Sequence, residues 1–443
     1  MVRLTNLLAQ LKPIKALVVG DFMLDKYTMG KVERISPEAP VCVLNVKQET
    51  YQPGGAGNVA LNLLSLFCEV NVLGRVGDDA AGKELIKWLN KYGAHTKYIY
   101  KQNHYPTPVK NRLIADNQQM VRIDYEEILP VDAAIEQEII QSMDVILGSM
   151  DIVCLSDYKK GFLSDRLIKK LIEVCNQKKI PIIVDPKGIE FVKYANATMI
   201  KPNLGEAYAA AKLEKSASLE EVAKKILSNT NAKYLLITRS EKGMTLFSQD
   251  LIRYDFPVEI KEVVDVTGAG DTVLAMISMA IANNLTVDTA CRLANICASM
   301  AVEHVGCRSI TLPELSQRLL ELDGGNKIFE DAHIYALGKV LEVTPYDLLC
   351  IDNTVEINAK TIQMIRSASV SKRPLLVYLG STNPDEDLVS FLASLKEIEF
   401  VILYKKSLME LIDKTPPHQI FHIRNSDEIM LCDKISLSDI QMV

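Results

Sequence analysis

Ala16-Leu-Val-Val-Gly20 is a short apolar run that ends in glycine, a pattern typical of a buried strand in a parallel sheet. Runs of the same type recur at residues 151–155, 181–185 and 234–238. Segments with apolar residues at helical spacing lie between and beyond these runs, at residues 165–176, 219–227 and 287–302. This alternation of strands and helices predicts an α/β fold with a central, mostly parallel sheet and helices on both faces.

Two β-rich stretches interrupt the alternation, at residues 39–52 and 96–124. They contain the runs Val41-Cys-Val-Leu-Asn-Val46 and Met120-Val-Arg-Ile-Asp124. We expect these stretches to form a small antiparallel sheet attached to the main one. Such a sheet is suited to act as a lid that excludes water from a reaction site.

A domain boundary is indicated at Asp323-Gly-Gly-Asn326, where glycines and polar residues follow a helical pattern. The chain of 443 residues is therefore predicted to contain a domain of residues 1–325 and a smaller α/β domain of residues 326–443. Strand-like runs in the second domain lie at residues 347–351, 374–379 and 400–404.

Composition excludes some classes of function. The net charge is −6, which argues against a general nucleic-acid binder. Nine cysteines without a Cys-x-x-Cys pair indicate reduced, mostly buried thiols. The N-terminus lacks the pattern of a secretory signal, and the longest apolar run, residues 273–282, is shorter than the roughly 20 residues that span a bilayer. We expect a cytoplasmic protein that binds neither nucleic acid nor membranes.

The strongest chemical signal is Asp265-Val-Thr-Gly-Ala-Gly-Asp271, which precedes an apolar helical run. Glycines allow a ligand to approach the backbone, and the first amides of a helix have no partner within it. The Asp271 carboxylate is therefore a candidate general base, and the amides of Gly268, Ala269 and Gly270 are candidates for an anion hole. The alternative is that Asp271 only caps the helix.

A second glycine-rich segment, Pro53-Gly-Gly-Ala-Gly-Asn58, also opens a helical pattern. Gly54, Gly55 and Asn58 are candidates for binding sugar hydroxyls, because the Asn amide both donates and accepts hydrogen bonds. The alternative is an ordinary loop in which Asn58 is the N-cap.

Together the two segments resemble the two signatures of ribokinase-like (PfkB) sugar kinases, and the resemblance covers about residues 12–320. It implies ATP and Mg²⁺ as cofactors, a monovalent-cation site near Asp265 and residues 302–309, and a homodimer formed through the lids. At Gly306-Cys307 the chain departs from the Gly-Thr pair of the heptose kinases in this family. The implied site residues are Asp21 for a sugar hydroxyl, Lys187, Asn203, Glu206, Thr238, Arg239 and Gly243 for ATP and its phosphates, and Glu206 also for Mg²⁺. The alternatives are a surface ion pair for Lys187 and Glu206 and a turn for Asp21.

Four further runs resemble the kinases of D-glycero-β-D-manno-heptose 7-phosphate within this family. They are Gly20-Asp-Phe-Met-Leu-Asp-Lys-Tyr27, Arg34-Ile-Ser-Pro-Glu-Ala-Pro40, Lys110-Asn-Arg112 and Asn117-Gln-Gln-Met-Val-Arg-Ile-Asp124. The resemblance implies ATP-dependent phosphorylation of the anomeric hydroxyl to the 1,7-bisphosphate, in lipopolysaccharide core heptose synthesis. Arg34, Lys110, Arg112 and Arg122 are candidates for binding the substrate phosphate, and a solvated charge is the alternative for each.

Kinases of this type are often fused to a nucleotidyltransferase domain that carries a His-x-Gly-His motif. The corresponding region here reads Asn353-Thr-Val-Glu-Ile-Asn-Ala-Lys-Thr361, without histidine or glycine. We expect a degenerate domain without adenylyl-transfer activity, in which His418 and His422 have structural roles. Two alternatives for the whole chain stay open: a kinase for another sugar or sugar phosphate, and a non-catalytic sugar-phosphate sensor or scaffold.

Overall fold

The computed structural model describes most of the chain between residues 10 and 432. The described ranges are 10–116, 118–258, 263–304, 306–322, 327–329, 334–352, 355, 358–371, 373–379, 386–403, 405–425 and 428–432. The chain divides into two compact units, Pro13–Ile310 and a second unit that includes Thr311–Val443. The predicted boundary at residues 323–326 lies outside the described residues.

The first unit contains two sheets and the helices that cover the larger one. Its described strands are β1 Lys15–Gly20, β2 Phe22–Ile35, β3 Cys42–Gly55, β4 Glu69–Gly77, β5 His95–Gln102, β6 Val109–Ala115, β7 Gln118–Tyr125, β8 Ile152–Ser156, β9 Ile182–Asp185, β10 Met199–Ile200, β11 Tyr234–Thr238, β12 Met244–Ser248 and β13 Arg253–Phe256. Its described α-helices are α1 Ala56–Ser65, α2 Ala80–Lys91, α3 Ala133–Ile146, α4 Asp165–Lys178, α5 Leu204–Ala211, α6 Leu219–Thr230, α7 Ala269–Ala282 and α8 Val287–Val302.

The large sheet has nine strands in the order β13-β12-β11-β10-β9-β8-β1-β4-β5. Strand β1 lies between β8 and β4 and pairs with both in parallel, as its apolar sequence predicts. The antiparallel pairs of the sheet lie at one edge, between β11 and β12 and between β12 and β13. The carboxyl ends of β1, β8, β9 and β11 therefore meet along one edge of the sheet, where ligands of such folds usually bind.

The small sheet has the order β3-β2-β6-β7, and we call it the lid. The predicted second lid segment, residues 96–124, is partly wrong, because residues 95–102 form β5 at the edge of the large sheet. The lid also contains β2, which the sequence pattern did not reveal. Strand β2 changes from buried at Phe22 to exposed at Ile35, so it has no uniform alternation along its length. It pairs in parallel with β6, and the lid is therefore mixed rather than antiparallel.

The second unit is a smaller α/β unit with a six-stranded sheet in the order β14-β17-β16-β15-β18-β19. Its described strands are β14 Ile328–Phe329, β15 Asp347–Ile351, β16 Leu375–Leu379, β17 Phe400–Ile402, β18 Gln419–Asn425 and β19 Glu428–Cys432. Its described α-helices are α9 Leu312–Leu322, α10 Ile334–Leu341, α11 Ala359–Ala368, α12 Glu386–Ser394 and α13 Lys405–Lys414. Leu349, Val377 and Val401 belong to its own apolar core. Within the described ranges of both units, we find no helix that combines the length and the apolar character needed to cross a membrane.

Candidate active site

The start of helix α7 is held in place by its glycine. Gly268 is the N-cap and has φ of 81°, a left-handed conformation that favours glycine. A Cβ at this position would lie 2.9 Å from Asn58 Nδ2 and 3.0 Å from Cys307 Sγ. No side chain caps the helix. No capping side chain covers the amides of Gly268 and Gly270, as an anion hole requires, whereas the Ala269 amide donates to the Val266 carbonyl at 3.4 Å.

Asp271 lies in the first turn of α7 and is only 5% exposed. Its Oδ2 accepts a hydrogen bond of 2.7 Å from Asn58 Nδ2, and its Oδ1 accepts one of 3.1 Å from the hydroxyl of Tyr158. The carboxylate therefore does not cap its own helix, and that alternative is wrong. Instead, two side chains from other elements fix both of its oxygens.

The environment of Asp271 favours its protonated form more than water does. Burial raises its pKa to about 7, with a smaller upward effect from the nearby Asp185 carboxylate. The Asn58 hydrogen bond, the Lys201 ammonium and the Tyr158 hydrogen bond act in the opposite direction. A carboxyl with a pKa near neutrality is suited to accept a proton at physiological pH.

Asp185 and Lys201 form an ion pair that the sequence analysis did not identify. Lys201 Nζ lies 3.0 Å from Asp185 Oδ2, and the lysine is 3% exposed. A Cβ on Gly270 would lie 3.5 Å from the same ammonium, so the lysine is adjacent to the start of α7. Each residue directly ends or follows a short buried strand. A charged residue at the end of a buried strand was the sequence feature that could have pointed to this pair.

A cavity of about 450 Å³ lies at the carboxyl edge of the large sheet. The residues Asp157, Tyr158, Asp185, Lys201, Ala269 and Gly270 contribute to its wall. Five of the predicted nucleotide-site residues also line it, namely Lys187, Asn203, Glu206, Thr238 and Gly243. Arg239 differs: its guanidinium donates to Asp255 Oδ1 and to the Lys242 carbonyl, both at 3.1 Å. Arg239 is therefore not brought together with the others.

Asn203 and Glu206 shape the start of α5. Asn203 is the N-cap, and the side chains of Asn203 and Glu206 each accept from the backbone amide of the other. Glu206 Oε1 also accepts from Lys187 Nζ at 2.6 Å. The ion pair considered as an alternative thus exists, and it exists on the cavity wall rather than on a remote surface.

Asp21 and the glycines of β3 lie on the lid side of Asp271. The Asp21 carboxylate accepts from the backbone amides of Tyr158 and Lys160 at 3.0 Å and of Phe162 at 3.4 Å. Burial raises its pKa, against the hydrogen bond from Lys160. The carboxylate predicted to accept a sugar hydroxyl therefore organises the loop after β8. Gly54 packs against Asp25, since a Cβ there would lie 2.3 Å from Asp25 Oδ2.

The four candidate phosphate-binding cations occupy different environments. Arg112 is mostly buried and donates to Asp25 Oδ1 at 2.7 Å, while the Lys110 ammonium lies 5.5 Å from the centre of the Tyr158 ring. Burial lowers the pKa of Lys110. Arg122 pairs with its neighbour Asp124 at 2.8 Å, and Arg34 is exposed. Of the four, Lys110 is linked to Asp271 through Tyr158, while Arg112 and Arg122 lie opposite each other on β6 and β7.

The loop predicted to hold a monovalent cation is tied to Asp265. Thr267 donates to Asp265 Oδ1 through its amide and hydroxyl, and the Gly306 amide donates to Oδ2 at 2.9 Å. Burial acts to raise the pKa of Asp265, but these hydrogen bonds outweigh it and the pKa is lowered. Its carboxylate is therefore ionised near neutral pH.

The two C-terminal histidines each lie beside a carboxylate. His422 is buried, with Nε2 at 2.7 Å from Asp352 Oδ1, and His418 Nδ1 lies 3.9 Å from Asp347. In the part of the chain that the structure describes, no group of three or more His, Cys, Asp or Glu side chains is arranged to hold a metal ion.

Comparison with known proteins shows that this chain is similar to carbohydrate kinases. Residues 14–315 match the model of the pfkB family of carbohydrate kinases. The protein named bifunctional protein HldE from Trichlorobacter lovleyi is 42% identical over 312 residues, which cover 70% of this chain and 64% of that protein. The protein of the same name from Geobacter metallireducens is 35% identical over 440 residues, covering 93% of this chain and 88% of its own.

Solved structures agree on the fold. A putative ribokinase from Agrobacterium tumefaciens superposes with a TM-score of 0.58 at 17% identity, over 70% of this chain and 99% of its own. Arabidopsis thaliana ribokinase complexed with ribose and ATP superposes with a TM-score of 0.55 at 20% identity, over the same shares.

Proposed function

The chain belongs to the pfkB family of carbohydrate kinases, and we propose that it transfers the terminal phosphoryl group of ATP to the anomeric hydroxyl of D-glycero-β-D-manno-heptose 7-phosphate. The observation that carries this proposal is the buried Asp271 carboxylate at the start of α7, whose neighbours Ala269 and Gly270 line the 450 Å³ cavity. The product is the 1,7-bisphosphate, a precursor of the lipopolysaccharide core heptose. Identity of 42% and 35% to two proteins named HldE supports the assignment.

Asp271 is the general base of the proposed reaction. Its carboxylate accepts the proton of the anomeric hydroxyl while the sugar oxygen forms a bond to the γ-phosphorus. The bond from that phosphorus to the bridging oxygen breaks, and ADP leaves on the opposite side. A pKa near 7 lets Asp271 hold the proton transiently and release it to water afterwards.

The chain stabilises the charge of the transferring group from two directions. The amides of Gly268, Ala269 and Gly270 lie at the positive end of the α7 dipole. The Lys201 ammonium, fixed by Asp185 at 3.0 Å, adds a full positive charge beside Gly270. Lys187 also lines the cavity, and its ammonium, paired with Glu206 at 2.6 Å, has further N–H donors for nucleotide phosphates.

ATP would bind in this cavity together with Mg²⁺. Magnesium prefers carboxylate and phosphate oxygens and usually takes one or two carboxylates from the protein. The carboxylate of Glu206 on the cavity wall fits that requirement, and Asn203 fixes its position. Bound Mg²⁺ supplies charge neutralisation on the β- and γ-phosphates.

The lid side supplies the binding site for the 7-phosphate. Lys110 lies on β6 with its ammonium 5.5 Å from the centre of the Tyr158 ring, and Tyr158 donates to Asp271. Arg122 lies opposite Arg112 in the β6–β7 pairing, and Asp124 neutralises its charge. Asp25 holds the Arg112 guanidinium in a fixed orientation, in which its remaining N–H groups can donate to a phosphate. Lys110 is the strongest candidate for direct phosphate contact.

A pair of matched variants tests this substrate site. Lys110→Met is expected to raise KM for heptose 7-phosphate by roughly 10-fold or more, the value of one lost charge-assisted hydrogen bond. Arg34→Met removes an exposed cation of the same lid and is expected to change KM by less than about 2-fold. Steady-state ADP release measures both. Equal effects of the two substitutions would contradict the assignment of Lys110.

The function itself is tested with a panel of acceptors. ADP release with Mg-ATP is measured for heptose 7-phosphate, unphosphorylated heptose, fructose 6-phosphate and ribose. We expect the highest kcat/KM with heptose 7-phosphate. Preference for another acceptor would keep the kinase but overturn the substrate. If folded protein that still binds ATP shows no turnover with any sugar, the result would contradict the kinase and favour a sugar-phosphate sensor or scaffold.

A cation site and a dimer complete the proposal. The Asp265 loop suits a monovalent cation, and a structure of Escherichia coli phosphofructokinase-2 is described in complex with potassium. Replacing K⁺ by a bulky organic cation in the assay tests this site.

The lid exposes Val46, Met120, Val121 and Tyr125, an apolar surface that fits contact with a second copy of the lid. Light scattering of wild-type protein against Val121→Lys would show whether that face forms a homodimer.

We propose that the second unit does not transfer adenylyl groups, because residues 353–361 contain neither the histidines nor the glycine of a His-x-Gly-His motif. Residues 353, 354, 356 and 357 lie outside the described ranges. Pyrophosphate release with ATP and heptose 1-phosphate measures the activity directly. Release above background would overturn this part of the proposal.

A further inference from the structure

We infer that Tyr158 is a positioning residue for Asp271: its hydroxyl holds one oxygen of the base, while the loop that carries Tyr158 is fixed in turn by Asp21. The inference rests on the proposed kinase function. It gives Asp21 and Tyr158 a joint role that neither residue showed in the sequence.

The two oxygens of Asp271 are held from opposite sides by different parts of the fold. Asn58, on α1, donates to Oδ2 at 2.7 Å, and Tyr158, after β8, donates to Oδ1 at 3.1 Å. Two such bonds fix both the position and the rotation of a carboxylate. The remaining lone pairs then point in a defined direction, as a general base requires.

The Tyr158 loop is anchored by more contacts than an ordinary surface loop. The Asp21 carboxylate accepts from the amides of Tyr158, Lys160 and Phe162. The buried guanidinium of Arg75 donates to the Lys160 carbonyl at 2.9 Å and stacks on the Tyr105 ring. These contacts hold the tyrosine backbone, so that its hydroxyl reaches Asp271 without further rearrangement.

Tyr158 acts as a donor and not as a second base. Burial, followed by the nearby Asp271 carboxylate, raises the pKa of Tyr158 well above its ordinary value. The hydroxyl therefore keeps its proton throughout the working pH range. A donor of this kind stabilises the ionised form of Asp271 and lowers its pKa relative to the same site without the hydroxyl.

Asp271 is faced by groups from five different segments of the chain. They are Asn58 on α1, Tyr158 after β8, Asp185 at the end of β9, Lys201 after β10 and the Cys307 thiol after α8. The thiol stays protonated because burial raises its pKa to about 12. Removing only the Tyr158 hydroxyl leaves the other four groups in place.

The test is the pH profile of kcat/KM for the full chain carrying Tyr158→Phe, measured by ADP release with Mg-ATP and heptose 7-phosphate. We expect the acid limb to move up by about 0.5–1 pH unit, which is roughly a 3- to 10-fold loss below that limb. Above it the rate should return to within about 2-fold of the wild-type rate. The substrate's own phosphate ionisation is common to both proteins and cancels in the comparison.

Tyr208→Phe is the matched control. It removes another tyrosine hydroxyl of the same unit, which donates to the Ala217 carbonyl at 2.8 Å and does not line the cavity. Its acid limb should stay at the wild-type position. An unmoved limb in Tyr158→Phe, or equal shifts in both variants, would overturn the positioning role. Asp271→Asn is measured in parallel. Full activity of this variant would contradict the proposed general base. Loss of its activity, together with an unmoved acid limb in Tyr158→Phe, would contradict only the positioning role of Tyr158.

Discussion

The helix starts of α7 and α11 differ in how their first amides are used. In α11, the Asn358 side chain accepts from the amides of Lys360 and Thr361, as a cap does. In α7, the cap is Gly268, no side chain accepts from the first amides, and Asn58 and Tyr158 hold the carboxylate of the first turn. One arrangement stabilises a helix, and the other leaves a positively polarised helix end and a fixed carboxylate for a ligand.

Substitutions at the two helix starts should differ most in their effect on the rate of phosphoryl transfer. Asp271→Asn keeps the shape of the side chain but cannot accept the proton of the sugar hydroxyl. We expect kcat to fall at least about 10²-fold, the low end for a positioned acid–base group. Steady-state ADP release measures the rate, and ATP binding by the variant is the control for folding. Turnover close to that of the wild type would show that α7 has no catalytic carboxylate.

The same substitution should stabilise the first unit at high pH. Burial raises the pKa of Asp271 to about 7, so the folded chain binds this proton more tightly than the unfolded chain does. Its contribution to stability therefore falls as the pH rises from about 4 to 7, by up to about 4 kcal/mol. Asp271→Asn removes this loss, and its gain over wild type should be present at pH 8 and absent at pH 4.

Urea unfolding measures this effect, because the chain contains one tryptophan, Trp88 on α2, which reports on the first unit. A variant that is less stable than the wild type at pH 8 would contradict the buried, high-pKa carboxylate. It would mean that the ionised group is stabilised by its neighbours instead.

The smallest effect is expected at the other helix start. Asn358→Ala removes the cap of α11 and should cost about 1 kcal/mol. Hydrogen exchange of residues 359–368 should become faster, while the Trp88 unfolding transition and kcat stay unchanged. A loss of kinase turnover in this variant would show that the α11 start contributes to the reaction.

The sequence predicted four of the nine strands of the main sheet, β1, β8, β9 and β11, because these strands are short, apolar and bounded by glycine or polar residues. It also singled out the helix start at Asp271, since glycine patterns are local, whereas the cavity residues Asn203 and Glu206 came from the resemblance to sugar kinases. It did not predict β2 as a lid strand, because the burial of that strand changes along its length.

Contacts between distant segments were beyond the sequence. The hydroxyl of Tyr158 and the amide of Asn58 meet at Asp271 only in the folded chain, over separations of 113 and 213 residues. Lys201 and Asp185 likewise look like ordinary strand-end charges until the sheet brings them together. Arg239 shows the converse, since a matching motif did not place its side chain at the cavity.

Single-turnover transfer from γ-labelled ATP to heptose 7-phosphate, with enzyme in excess, tests the central claim most directly. The proposed mechanism predicts that wild-type protein moves the label to the anomeric oxygen in one step without labelled protein. Asp271→Asn, still able to bind ATP, should transfer it at least about 10²-fold more slowly. Label that reaches the sugar at the wild-type rate in the variant, or that first accumulates on the protein, would contradict direct transfer assisted by Asp271.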